Sequence, residues 1–171
     1  MNAEAEKIIA HLGLAPLPRE GGFFRQTWVS RKRLANGRIA GSTILFLLTP
    51  GDFSALHRLE ADEIWHFCAG DPVEHVQLDP QDGSARVTSL GSAVLAEIPE
   101  IVVSGGIWQG ARVAEGGGRL SGRPGRFSRG WALLACTMVP AWEEKRFTLG
   151  QREKLTRAFP AQARLIAAFT R

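Results

Sequence analysis

Apolar residues along this chain fall into short runs, each cut by glycine, proline, asparagine or aspartate. That is the pattern of strands separated by turns. Phe23–Ser30 precedes a basic turn containing Asn36-Gly37. Ser42–Thr49 (STILFLLT) is a continuous apolar run, suited to a strand covered on both faces, and Pro50-Gly51-Asp52 breaks it. Glu63–Ala69, Val73–Leu78, Ala85–Leu90 and Ile101–Val103 follow, divided by Gly70-Asp71-Pro72, Asp79–Gly83 and Gly105-Gly106. Trp108–Ala114 and Trp131–Val139 flank a segment rich in arginine and glycine. No helical run intervenes, so the spacing argues an antiparallel sandwich or barrel. Helices belong to the two ends. Ile8, Ile9 and Leu12 recur at helical spacing within Ala3–Leu14, and Ala15-Pro16-Leu17-Pro18 ends that helix. Gln151–Phe159 and Ala161–Phe169 read as helices, with Pro160 opening the second. The expected architecture is mainly β and a single domain over residues 1–171. Its barrel covers 20–148 and its C-terminal helices 150–170.

Bulk properties narrow the class. The chain has 171 residues, 44% apolar and 22% charged, enough for one core without staples. Cys68 and Cys136 lie in apolar runs with no second cysteine at metal spacing, and read as buried free thiols in a reducing compartment. No signal-peptide pattern opens the chain and no apolar run approaches bilayer length, so the expectation is a cytoplasmic protein without a membrane partner. The net charge of +4 divides unevenly, −4 over residues 1–111 and +8 over 112–171. Arg112, Arg119, Arg123, Arg126 and Arg129 account for much of it. With only Phe127 as an aromatic, the Arg112–Gly130 segment reads as a solvated connection between strands and not as a nucleic-acid arm.

The chemistry concentrates in GDFSALHRLEADEIWHFCAG, residues 51–70. Gly51, His57, Glu63 and Gly70 stand at spacings that resemble the first motif of the cupin superfamily: glycine, five residues, His-x-His, three or four residues, glutamate, six residues, glycine. The second histidine is replaced by Leu59. A four-ligand cupin site also takes a histidine from a second motif, Pro-x-Gly-x-x-His. The corresponding stretch Val103–Trp108 has valine for the proline and tryptophan for the histidine. Two ligands remain of four, too few for a tight transition-metal site. The expectation is therefore no cofactor. If a divalent metal does bind, His57, Glu63 and His66 are its candidate ligands, although alternation puts His66 on the face opposite Glu63 and a bulge would be needed.

Without a metal, His57 and Glu63 are candidate catalytic groups, an acid–base pair in a dry aromatic pocket shaped by Trp65, Phe67 and Trp108. A buried His–Glu pair that only satisfies two polar groups would look the same in sequence. The chain has five tryptophans and no tyrosine, so no phenol can serve as proton donor. Glu20–Trp28 (EGGFFRQTW) is the second informative stretch. Its paired glycines permit a tight turn before a strand with Arg25 and Thr27 on one face, where an inward arginine would clamp a carboxylate or phosphate. Glu100 and Gln109 are weaker candidates for the same pocket.

Taken together, EGGFFRQTW, STILFLL, HRLEADEIWHFCAG, VVSGGIWQGA and LLACTMVPAWEEKRF resemble one subfamily, the cupin-5 family of small bacterial and fungal proteins, over residues 4–150. The resemblance implies a double-stranded β-helix, or jelly-roll, barrel similar to that of sugar-nucleotide epimerases, with helices at both ends, and a homodimer. It also implies that tryptophan in the second-motif histidine position is a family trait. Val103 and Glu100 depart from the family's usual proline and glutamine. The resulting expectation is metal-independent isomerase, epimerase or lyase-type chemistry on a polar small molecule such as a sugar derivative. A metal-dependent oxygenase or hydrolase and a non-catalytic metabolite-binding module are the alternatives. Outward apolar positions such as Ile64 fit the dimer.

Overall fold

A computed structural model describes residues 2–95, 97–114 and 128–171. Residues 115–127 lie outside the described residues, and with them the reading of most of the arginine-rich segment as a solvated connection. Helix α1 spans Ala3–Leu12, opened by the Asn2 side chain accepting the Ala5 N–H at 2.9 Å and closed by Gly13 in the left-handed conformation. Among the described residues eleven strands follow: β1 Ala15–Pro16, β2 Phe23–Val29, β3 Ser42–Leu48, β4 Phe53–Leu59, β5 Asp62–Gly70, β6 Val73–Leu78, β7 Ala85–Leu90, β8 Glu100–Val103, β9 Trp108–Val113, β10 Ala132–Val139 and β11 Phe147–Leu149. Helices α2 (Arg152–Ala158) and α3 (Ala163–Ala168) end the chain, joined through a short 3-10 turn that opens at Pro160. No helix among the described residues is long and apolar enough to cross a membrane.

The strands form two antiparallel sheets, in the orders β1-β2-β3-β10-β5-β8 and β11-β4-β9-β6-β7. Neither sheet closes on itself, so the architecture is two facing open sheets in jelly-roll order. Their inner faces share one apolar core: Phe46, Trp65, Leu134 and Val103 from the first sheet meet Val73, Leu90, Ala111 and Val113 from the second. The outer face of the second sheet is covered too. Leu56, Val76 and Leu78 pack there against Leu155, Phe159, Ile166 and Phe169 of the C-terminal helices. That second cluster matters to the site because it assigns one side chain in two on β4, β6 and β9 to the outside.

Eight of the strands coincide closely with the runs of alternation. Strand β4 is different, because a register shift between Ser54 and His57 in its pairing with β9 leaves four successive residues buried. A bulge of this kind erases period-two alternation, so the pattern does not mark Phe53–Leu59 as a run of its own. Strands β1 and β11, of two and three residues, are too short to show a period. Cys136 is buried as expected, but Cys68 is exposed, because it sits on the outward phase of β5.

The two motif glycines have unequal duties. Gly70 has φ +99°, and a Cβ there would collide with the Trp131 carbonyl oxygen and the edge of its indole ring. Gly51 has open space around it and no positive φ. Gly70→Ala should therefore destabilise the fold by about 1–3 kcal/mol, and Gly51→Ala by less than about 0.5 kcal/mol. Urea denaturation midpoints of the two variants against the parent check this.

Candidate functional site

A cavity of about 250 Å³ opens between the two sheets, walled by β2, β3, β5 and β10 on one side and by β4 and β11 on the other, with residues Leu17–Glu20 across its rim. His57 and Leu59 both face it, as their i, i+2 relation requires, and so do Glu63 and Trp65 from the opposite sheet. His57 is 2% exposed. Across its own sheet it is paired with Gln109 on β9 and Leu149 on β11, and its ring stacks on Phe147 at 5.5 Å between centroids.

A carboxylate stands on each edge of that imidazole. Glu20 Oε1 lies 3.8 Å from Nδ1, and Glu63 Oε2 lies 4.0 Å from Nε2. Nδ1 itself is 2.9 Å from the Ala55 carbonyl oxygen, to which it donates. Both Glu contacts are too long for hydrogen bonds and act through charge. Each carboxylate is fixed from behind. The Ser54 hydroxyl donates to Glu20 Oε1 at 2.7 Å, and the Ala55 N–H donates to the Glu20 carbonyl at 2.9 Å. The turn carrying Glu20 is anchored where the Gly22 N–H donates to Asp52 at 2.7 Å. On the other side the Trp65 indole donates to Gln109 Oε1 at 2.9 Å, which turns the Gln109 amide N–H toward Glu63 Oε2, 2.6 Å away. The indole is a donor only, so it decides which way the amide points.

These contacts set the protonation states. Burial alone pushes the His57 imidazole down, but Glu20, Glu63 and the Ala55 carbonyl outweigh it and raise its pKa to about 9. Burial raises the Glu20 carboxyl against the opposing pull of His57 and Ser54. A second histidine on β6, His75, is fully buried edge-on to Trp65 at 5.0 Å, with no hydrogen-bond partner on either nitrogen among the described residues. Burial and the charge of His57 push it down to about 3, so it stays a neutral imidazole. The Cys136 thiol lines the cavity and is raised by burial and by the two glutamates, so it is no nucleophile at neutral pH.

Several expected pocket residues lie elsewhere. Arg25 and Thr27 are exposed, because β2 turns Phe24 and Gln26 toward the cavity instead. Trp108 is on the outer phase of β9. It packs with the C-terminal helices, under the Arg58 guanidinium at 5.0 Å, and its neighbour Gln109 takes the interior place. Phe67 shares a face with Glu63 and Trp65 but is only half-buried, packing against the core outside the cavity. Glu100 is exposed and pairs with His66 at 3.1 Å on the outside of the sheet. Glu20 and His75 carry no local signal as site residues. Glu20 falls in a turn, and His75 looks like any inward position of a strand.

The donor set does not fit a divalent metal. His66 is on the far side of β5 from Glu63, so the three-ligand set His57, Glu63 and His66 does not converge. Glu20 and Glu63 lie at opposite edges of the His57 ring and cannot share one ion with it. Leu59, Phe46 and Trp65 line the same cavity and are no ligands, and the Cys136 thiol that also lines it makes up no group of three with His57 and Glu63. No group of three potential ligands converges elsewhere among the described residues.

Two facing antiparallel sheets with a histidine–glutamate pair on their inner walls define a cupin-type jelly roll. The chain belongs to the family described as Cupin superfamily (DUF985), whose model matches residues 6–150. Two solved structures superpose over nearly the whole chain. A hypothetical protein from Leishmania major is 30% identical, with a TM-score of 0.83 over 97% of this chain and 98% of its own. A protein from Shewanella oneidensis is 28% identical, with the same TM-score over 100% and 98%. Oxalate decarboxylase from Bacillus subtilis, at 14% identity and TM-score 0.56 over 91% of this chain and 37% of its own, shares the fold alone. No curated protein matches the chain.

The raised His57 pKa makes stability depend on pH. The folded chain holds a proton that the unfolded chain releases above about pH 6.5, so this contribution is complete below 6.5 and is lost as pH rises through about 9. In that window stability should fall with a slope approaching about 1.4 kcal/mol per pH unit. Urea unfolding of the parent at intervals from pH 6 to 10 should show this slope, and His57→Gln should flatten it.

Proposed function

We propose that the cavity carries out metal-independent acid–base chemistry on a bound small molecule, of the isomerase, epimerase or lyase type. The observation that carries this reading is the gap between His57 Nε2 and Glu63 Oε2. At 4.0 Å the two do not bond each other, yet one ligand atom can sit within hydrogen-bond reach of both. His57, charged at neutral pH, is the acid. Its Nε2–H gives a proton to an oxygen of the substrate, while the Glu63 carboxylate takes one from an adjacent carbon. Glu63 then gives its proton to the former carbonyl carbon while the neighbouring hydroxyl returns one to Nε2. That completes an isomerisation with both groups in their starting states. An epimerisation requires the ligand to turn in the cavity so that Glu63 returns the proton to the other face. Glu20 stabilises the imidazolium, and Gln109, oriented by Trp65, holds Glu63 in place. A tetherless cavity of this size suits a small molecule. The expected clamp for a carboxylate or phosphate, an inward Arg25, is turned to solvent by the fold.

The test is proton exchange. The protein is incubated in D2O with a panel of small hydroxy-carbonyl compounds, and deuterium uptake at carbon is followed by NMR. His57→Gln and Glu63→Gln should each lower exchange at least about 100-fold while leaving the circular dichroism spectrum unchanged. Undiminished exchange in His57→Gln would remove His57 from the chemistry. Binding with no exchange by the parent would leave the cavity a binding module.

A further inference from the structure

The same gap selects the chemical class of the ligand, given that the cavity is where the ligand binds. His57 Nδ1 carries a proton, because it donates to the Ala55 carbonyl. A carboxylate on each edge of the ring holds a second proton on Nε2. His57 lines the cavity, and its Nε2, 4.0 Å from Glu63 Oε2, makes no direct hydrogen bond to that carboxylate. The floor of the cavity therefore presents one donor, Nε2–H, and one acceptor, Glu63 Oε2, separated by 4.0 Å.

Only an atom that both accepts and donates satisfies the two at once. A hydroxyl oxygen does so: it takes the Nε2 proton on a lone pair and gives its own to Oε2. An ammonium group has no lone pair for Nε2–H and would face the imidazolium. A carboxylate has no proton for Glu63 and would add a third negative charge beside Glu20 and Glu63 in a poorly solvated place. Among the described residues the only other cation lining the cavity is Arg19, and it is exposed at the rim and already paired with Glu144. The remaining wall is mainly apolar, with Ile44, Phe46, Leu59, Trp65, Met138 and Phe147 among its residues and Gln26, Ser42 and Glu144 as polar members.

We infer that the ligand is an uncharged molecule with a hydroxyl group on a mainly apolar body, its hydroxyl seated between His57 and Glu63. Anionic sugars are then a poor choice of substrate, and neutral aromatic or branched aliphatic alcohols and hydroxy-ketones a good one.

Two matched series test this by isothermal titration at neutral pH: 2-phenylethanol, phenylacetate and 2-phenylethylamine, and hexan-1-ol, hexanoate and hexylamine. In at least one series the alcohol should bind at least about tenfold more tightly than both charged analogues. His57→Gln should remove that preference, because it replaces the charged donor. Should His57→Gln fail to fold, Leu59→Glu, which adds a carboxylate to the apolar wall, should weaken alcohol binding by a similar factor. Tighter binding of a carboxylate or an amine, equal binding of all three heads, or no binding of any of the six at millimolar concentration overturns the inference. The outcome separates from that of the catalytic reading. A bound neutral hydroxy-ketone that exchanges no protons at carbon leaves this inference standing and counts against catalysis, whereas exchange on a charged substrate does the reverse.

Discussion

The arrangement depends on one constraint, an imidazolium kept inside a sheet sandwich where water cannot solvate it. A lone charge there would cost several kcal/mol, and the ring would neutralise itself instead. Here Glu20 and Glu63 stand on its two edges and the Ala55 carbonyl accepts from Nδ1. Each partner is in turn held by another element. Ser54 and the Ala55 N–H fix Glu20, and the Trp65–Gln109 pair fixes Glu63. The loop after β1, strands β4 and β5 and strand β9 must all be in place before the charge is stable. Fold and site are therefore the same set of contacts viewed from two sides.

The electrostatics divide two buried histidines between opposite states. His57 gains from two carboxylates and stays charged, while His75, fully buried and without a hydrogen-bond partner among the described residues, is kept neutral by burial and by the charge of His57 itself. The separation of paired titratable groups by environment is what distinguishes a poised acid from a structural imidazole. The unmet polar demand is also informative. His57 Nδ1 is held by the Ala55 carbonyl, whereas Nε2 stands 4.0 Å from Glu63 in a residue that lines the cavity. In a cavity whose wall is otherwise mainly apolar, that nitrogen and Glu63 are a principal source of specificity.

Much of this was legible from pattern alone, and the misses share a cause. Alternation located eight strands, and the spacing of Gly51, His57, Glu63 and Gly70 placed two of the three charged groups on one cavity. It also put Leu59 beside His57 and His66 on the opposite face, where both are found. Alternation does not say which phase points inward. In β2 the inward residues are Phe24 and Gln26, not Arg25 and Thr27, and in β9 it is Gln109, not Trp108. The C-terminal helices decide the second case, because they give Trp108 an apolar surface outside the sandwich. Glu20 escaped notice because its role arises from a loop folding back onto β4, a contact across more than thirty residues that local pattern cannot encode.

The charge on His57 is the quantity that tests the account most directly. Its imidazole pKa can be measured by two-dimensional proton–nitrogen NMR across a pH titration, with His57→Gln identifying the resonances. The account predicts a midpoint near 9, moving down in Glu20→Gln, with the second buried histidine remaining neutral across the whole range. A midpoint at or below the ordinary value of about 6.5 in the parent would contradict it. That result would mean the two carboxylates do not hold the ring charged, and neither the proposed acid nor the donor–acceptor gap would exist.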